Sequence, residues 1–168
     1  PIGDWEGVIG LQFNDRDFEA EGEGHSHGDG DDEHGGGFYI RGNDTRTVGL
    51  FILEERPTHF GRFEIAARVD HVRSSSDNLD EARDIDLPSG DELEQAASLS
   101  SRSFTPFSLS AGTIIDVDPA HHLRMSVTRS QRAPSAEQLY AFGRHAAAGT
   151  VEIGDPNLGK ETYTNFEV

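Results

Sequence analysis

Apolar and polar side chains alternate with a period of two through most of this chain, and the alternation is broken by turn residues or by long glycine-, serine- and acid-rich runs. In the first segment Trp5, Gly7, Ile9, Leu11 and Phe13 fall on one face, and Val8, Gly10, Gln12, Asn14 and Arg16 on the other. Successive side chains of a strand point to opposite sides, so the pattern predicts a strand with one apolar face. A second segment, roughly Tyr39 to Glu54, also reads as strand, but Leu50, Phe51, Ile52 and Leu53 are all apolar and leave its register open. The third has the clearest alternation: Phe63, Ile65, Ala67 and Val69 against Arg62, Glu64, Ala66, Arg68 and Asp70. In the fourth, Phe107, Leu109, Ala111, Thr113 and Ile115 oppose Ser108, Ser110, Gly112, Ile114 and Asp116. Leu123, Met125 and Val127 mark the fifth, and Thr162 to Val168 a sixth.

The connections have two lengths. Arg56-Pro57-Thr58-His59 and Asp116-Val117-Asp118-Pro119 read as tight turns, whereas about 19–37, 73–103 and 132–160 are long. Their order (long, short, long, short, long) puts all three long connections at one end of an antiparallel meander of about six strands. Antiparallel barrels of the outer membrane have this arrangement, with short periplasmic turns and long outer loops. Arg62, Glu64, Arg68, Arg124 and the serines of the polar face suit a wet lumen. A soluble acidic β-sandwich, binding calcium or carbohydrate, is the alternative from a different class. Trp5, Phe13, Phe18, Tyr39 and Phe107 are candidates for interfacial aromatic girdles, although a soluble core uses the same residue types.

Composition narrows this only in places. The chain of 168 residues has room for one ordinary domain, and 34% hydrophobic content is low for a large dry core. No run approaches the roughly 18 apolar residues of a membrane-spanning helix, but a barrel strand needs only about 9–11 residues with one apolar face. The start, PIGDWEG, has no export signal, so an exported form is expected to be a mature chain or an internal fragment. Without cysteines there are no disulfides or thiolate metal sites. A formal charge of −17 argues against nucleic acid and favours cations as partners.

The segment GEGHSHGDGDDEHGGG concentrates metal-ligand chemistry. His25, His27 and His34 supply imidazoles suited to zinc, copper or nickel, and Asp29, Asp31, Asp32 and Glu33 supply carboxylates. The flanking glycines let the backbone fold back so that several side chains reach one ion, against an ordering cost. A hydrated acidic loop with incidental histidines is the bland reading. GDGDD lacks both the repetition of calcium-binding repeats and the spacing of an EF-hand. No nucleophile–base pair, P-loop or dinucleotide fingerprint is present, so an enzyme is not expected.

The stretch RAPSAEQLYAFGRHAAAGTVEIGDPNL, residues 132–158, adds a family signal. It resembles the C-terminal barrel region of TonB-dependent outer-membrane receptors, where R-A-P-S-x-E-x-L-Y ends a strand and G-D-P-N-L introduces the next after a long loop. The resemblance implies that residues 1–168 are part of a 22-stranded transmembrane β-barrel, an internal or C-terminal piece lacking the plug domain and the TonB box. It also implies a bacterial outer-membrane location, contact with lipid, and energy supplied by the TonB complex. A histidine-rich loop on such a barrel resembles the zinc-uptake branch, with Zn²⁺ as transported ligand and not as catalytic cofactor. Within the same class, a receptor for a siderophore or other metal chelate is the rival. His145 lies in FGRHAAAGT, where the family often has G-P-H; Arg144 replaces that proline, and His145 is either an external ligand or a packing residue. His121 and His122 are expected at the periplasmic turn, and His71 near the outer end of its strand.

Overall fold

A computed structural model describes residues 4–21, 38–76, 101–145 and 150–168. The strands are β1 (Glu6–Glu21), β2 (Phe38–Thr58), β3 (Gly61–Ser76), β4 (Ser101–Phe104), β5 (Phe107–Asp118), β6 (His121–Arg132), β7 (Phe142–His145), β8 (Thr150–Ile153) and β9 (Glu161–Glu167), and one short helix, α1, covers Ala136–Tyr140. All pairings are antiparallel. The main sheet runs β1-β2-β3-β5-β6-β9, with β4 continuing the β5 edge of β3 towards its far end, and β7-β8 form a separate hairpin. The meander predicted from the alternation is therefore present. Among the described residues no second sheet covers either broad face, so the sandwich alternative is not the architecture.

Two-residue turns close the short connections. At His59-Phe60 the chain re-enters the sheet through Gly61, whose φ of 144° would strain any residue with a Cβ. At Pro119-Ala120 the Asp118 carboxylate accepts from the Ala120 N–H at 2.8 Å, and a bulge between Asp116 and Asp118 tightens the turn.

The pairings settle what the apolar run in β2 left open. Ile9, Ile52, Ala67 and Leu109 lie in one cross-strand row, as do Leu11, Leu50, Val69 and Phe107, so Leu50 and Ile52 share the apolar face. Phe51 and Leu53 turn to the other side. The long connections are shorter than the pattern predicted. Strand β1 continues to Glu21 and β3 to Ser76, and β4 begins within 73–103; the cause is backbone pairing, which extends segments whose apolar residues are too few to show an alternation. Residues 132–160 are not a plain loop either: they contain α1 and the β7-β8 hairpin.

Candidate functional site

The outward face. Ile9, Leu11 and Phe13 are 69%, 74% and 64% exposed, and Val48, Leu50, Ile65, Val69, Leu109, Met125, Val127 and Phe166 are also exposed on the same face. A contiguous apolar band of this size, uncovered by protein, is what lipid would cover. Its lower edge carries Trp5 edge-on to Phe63 (centroids 6.2 Å apart) with the Arg56 guanidinium 5.9 Å from the indole, an interfacial pairing of ring and cation. On β1 the band runs from Trp5 to Phe13, nine positions, within the span of a tilted membrane strand.

The band does not follow the cross-strand rows. It ends at Phe13 on β1 but at Val127 on β6, and Val127 shares its row with Ala111, Ile65, Glu54 and Gly7. From Phe13 to Gly7 is six positions, about 20 Å along the strand, while β6 is four strand steps from β1, about 19 Å across. A band level with the membrane therefore requires strands tilted by about 45°, the inclination of membrane barrels. Phe13 and Phe107 lie on this face as predicted; Phe18 does not, because its row partner Asn43 and its stacking partner Arg16 belong to the opposite face.

The pocketed face. The opposite side holds a shallow, open cavity of about 420 Å³ lined by residues that include Val8, Gln12, Phe51, Arg68, Ser110 and Thr128. Arg68 grips Asp70 with two hydrogen bonds (Nε–Oδ2 2.8 Å, Nη2–Oδ1 2.6 Å), and its guanidinium lies 5.9 Å from the Phe51 ring. Nearer the short turns Arg62 pairs with Glu64 (3.2 Å) and Glu55 (3.5 Å), and Arg124 with Glu64 (3.6 Å). These pairs are half-exposed and contribute little stability. What they provide is a charged, wettable wall.

The outer-end latch. The main dry core of the described residues sits on this same face, near the long connections: Leu139 (1% exposed) and Tyr140 (3%) pack with Phe104 and Ala136, flanked by Val72 and Ala133. Local sequence builds it. Ser135 caps α1 by accepting from the Gln138 N–H, and Gln138 Oε1 accepts from the Ser135 N–H, a reciprocal capping box. The Tyr140 hydroxyl donates to the Ser74 carbonyl at 3.0 Å, and burial pushes its pKa up although that bond opposes the rise. For Glu137, partial burial pushes upward, but the Ser135 hydroxyl, its own backbone N–H and Arg16 at 3.4 Å together hold it below its ordinary range. The second half of the signature closes on the first. Gly154 N–H donates to the Ala141 carbonyl (2.6 Å), Asp155 N–H to the Gln138 carbonyl (2.9 Å), and the Asp155 carboxylate accepts from Asn157 N–H (2.8 Å) beneath a buried Pro156. A Cβ on Gly154 would stand 2.6 Å from the Leu139 carbonyl carbon and the Tyr140 nitrogen, so only glycine fits. RAPSAEQLY and GDPNL are thus two halves of one folded unit.

The predicted metal ligands His25, His27, Asp29, Asp31, Asp32, Glu33 and His34 lie outside the described residues. Their segment connects β1 to β2 at the long-connection end. His121 and His122 sit at the opposite, short-turn end, where His121 Nδ1 meets Asp118 (2.9 Å) and His122 Nδ1 meets Asp116 (2.7 Å). His71 is exposed near the upper part of β3, and His145 ends β7. Among the described residues, one carboxylate trio can bring its oxygens within 4.8 Å: Asp15, Asp17 and Asp44. Arg46 already pairs with Asp15 (3.4 Å) and Asp44 (3.0 Å), and the trio has no imidazole.

A single sheet with a lipid-type outer band, a wet inner wall and long connections at one end defines a segment of an outer-membrane β-barrel. The family model "TonB dependent receptor-like, beta-barrel" matches residues 2–168, and the chain belongs to that family. Its members are outer-membrane transporters, not enzymes, and the family implies coupling to TonB.

Proposed function

We propose that this receptor imports zinc or a related divalent metal, and that His25, His27 and His34, with Asp29, Asp31, Asp32 and Glu33, capture the ion outside the membrane. What supports the reading is the insertion of this ligand-rich run between Glu21 and Phe38, the paired far ends of β1 and β2, on the side opposite the two-residue turns. Imidazoles and carboxylates from a glycine-rich segment hold the ion loosely enough to release it inward. The charged wall of the pocketed face then offers a hydrated path, and TonB supplies the work.

Zinc titration of the receptor by calorimetry tests the ligand assignment. Replacing His25, His27 and His34 together by Ala removes or strongly weakens the binding isotherm at neutral pH; an unchanged isotherm overturns it.

A second reading, uptake of an anionic metal chelate, is favoured by two cation–ring stacks at the outer end of the pocketed face: Arg16 lies 4.8 Å from the Phe18 ring and Arg102 5.5 Å from Phe104. Such pairs suit an aromatic, negatively charged ligand. Competition between labelled zinc and a ferric chelate in whole-cell uptake separates the two readings.

A further inference from the structure

Arg132 and Glu161 are paired neighbours on β6 and β9, so a short turn would suffice to join the two strands. The chain instead leaves β6 sideways and runs back over the pocketed face, against the direction of the meander. Ala136, Leu139 and Tyr140 of α1 pack with Val72 of β3 and Phe104 of β4, the Tyr140 hydroxyl donates to the Ser74 carbonyl at 3.0 Å, and β7 lies against β2. The excursion reaches β1, where Glu137 meets Arg16 at 3.4 Å. Strand β1 is four strand steps from β6, about 19 Å across the sheet.

The return leg is anchored separately. The Gly154 and Asp155 N–H groups bond back to the end of α1, Lys160 Nζ donates to the Thr105 carbonyl (2.8 Å), and Arg102 Nη2 donates to the Leu158 carbonyl (3.4 Å). On β3 the covered stretch begins at Val72, two positions beyond Asp70 on the same face, so the unit stands directly above the Arg68–Asp70 pair and the cavity. Ser74 beneath it is 1% exposed, whereas Tyr163, on the same face of β9, is 50% exposed. Tyr163 shares the cross-strand row of Arg68, Ser108 and Ser130. The strand tilt raises β9 by about four to five positions relative to β3, so Tyr163 comes to nearly the depth of Val72.

We infer that α1, β7 and the GDPNL turn form a fixed partition inside the outer mouth of the barrel. It shuts the inner wall of β1 to β4 at that end and leaves the β6–β9 wall, with Tyr163, as the open approach to the cavity beneath. The partition keeps its place during transport. Lifting it would wet Leu139 and Tyr140, leave the Ser74 carbonyl without its donor, and break ties on both legs at once, whereas elements that move in function are drawn from the weakly packed parts of a structure. Cargo is thus selected by what fits along the β6–β9 side. The inference rests on the barrel's inner face and is independent of whether zinc or a chelate is carried.

Cysteine accessibility tests this, because the chain has no cysteine of its own. Whole cells carrying the full receptor with Ser74→Cys or Tyr163→Cys are treated with a membrane-impermeant maleimide, either energised or after a protonophore. Ser74→Cys disturbs only a hydroxyl contact with Thr45 (3.2 Å), since Tyr140 bonds the backbone carbonyl. Ser74→Cys is expected to react at least about tenfold more slowly than Tyr163→Cys in both states. Heat-modifiable electrophoretic mobility checks that each variant is folded; if Ser74→Cys does not fold, Ala136→Cys, at a position 7% exposed in the same core, replaces it. Equal rates at the covered and open positions overturn the partition. Labelling of the covered position only in energised cells makes the unit a moving gate and overturns its fixed character. Slow labelling at both positions overturns the β6–β9 approach.

Discussion

Gly154 shows how one residue ties two distant motifs into a single structure. Its hydrogen atom faces the Leu139 carbonyl and the Tyr140 nitrogen, so Gly154→Ala forces the GDPNL turn off the end of α1. The variant is expected to expose Tyr140, readable as faster hydrogen exchange at Leu139 and Tyr140 and as a lower midpoint in urea unfolding from lipid vesicles. Tyr140→Phe is milder: it leaves the Ser74 carbonyl without its side-chain donor in a buried setting, a loss of about 1–2 kcal/mol. Glu137 gives the latch a pH dependence. Its carboxyl is held below its ordinary value of about 4.5, so its contribution is present above that pH and disappears as pH falls through the lowered value. Glu137→Gln should flatten the acid side of the latch's exchange-versus-pH profile; an unchanged profile would show that the ion pair with Arg16 has no part in it. The latch was partly legible. Ser-x-x-Gln is a capping signature, and the order of RAPSAEQLY and GDPNL was visible, but nothing in the spacing said that the two would pack on Val72 and Phe104.

At the scale of the strand, legibility followed the apolar face. Where one face was apolar and the other polar, as in β3 and β5, residues and register could both be read. Where four apolar residues ran together in β2, only pairing with β1 and β3 separated Leu50 and Ile52 from Phe51 and Leu53. Where a strand left the lipid, as in the far ends of β1 and β3 and in the four residues of β4, single apolar residues (Phe18, Val72, Phe104) stood among polar ones and the alternation was too short to read. The two faces make opposite predictions for neighbouring positions. Leu11→Arg puts a charge in the apolar band, which costs about 2–4 kcal/mol near the bilayer centre, whereas Gln12→Arg on the pocketed face is expected to change stability by no more than about 0.5 kcal/mol. Guanidinium unfolding of both variants in the same vesicles checks the assignment. Equal destabilisation would mean that the faces are reversed or that neither meets lipid.

For the molecule as a whole, the membrane plane was invisible in the sequence because it cuts across the rows of the sheet. Alternation identified the apolar residues, but only the register shows that the band climbs by six positions between β6 and β1. The consequence is testable because the chain has no cysteine, so a single introduced cysteine carries a label at one depth. Ile9, Ile52, Ala67, Leu109 and Arg129 form one continuous row. In an untilted sheet they would share one depth. With strands inclined by about 45°, Ile9 lies at the middle of its apolar run while Arg129 has already risen to the headgroups, and Leu123, six positions below Arg129, is the β6 residue level with Ile9. Spin labels at Ile9 and Leu123 should therefore show the same high accessibility to oxygen and low accessibility to a polar nickel chelate, and a label at Arg129 the reverse. Matching depths for Ile9 and Arg129 would make the sheet upright and leave the slant of the apolar band without a membrane to explain it.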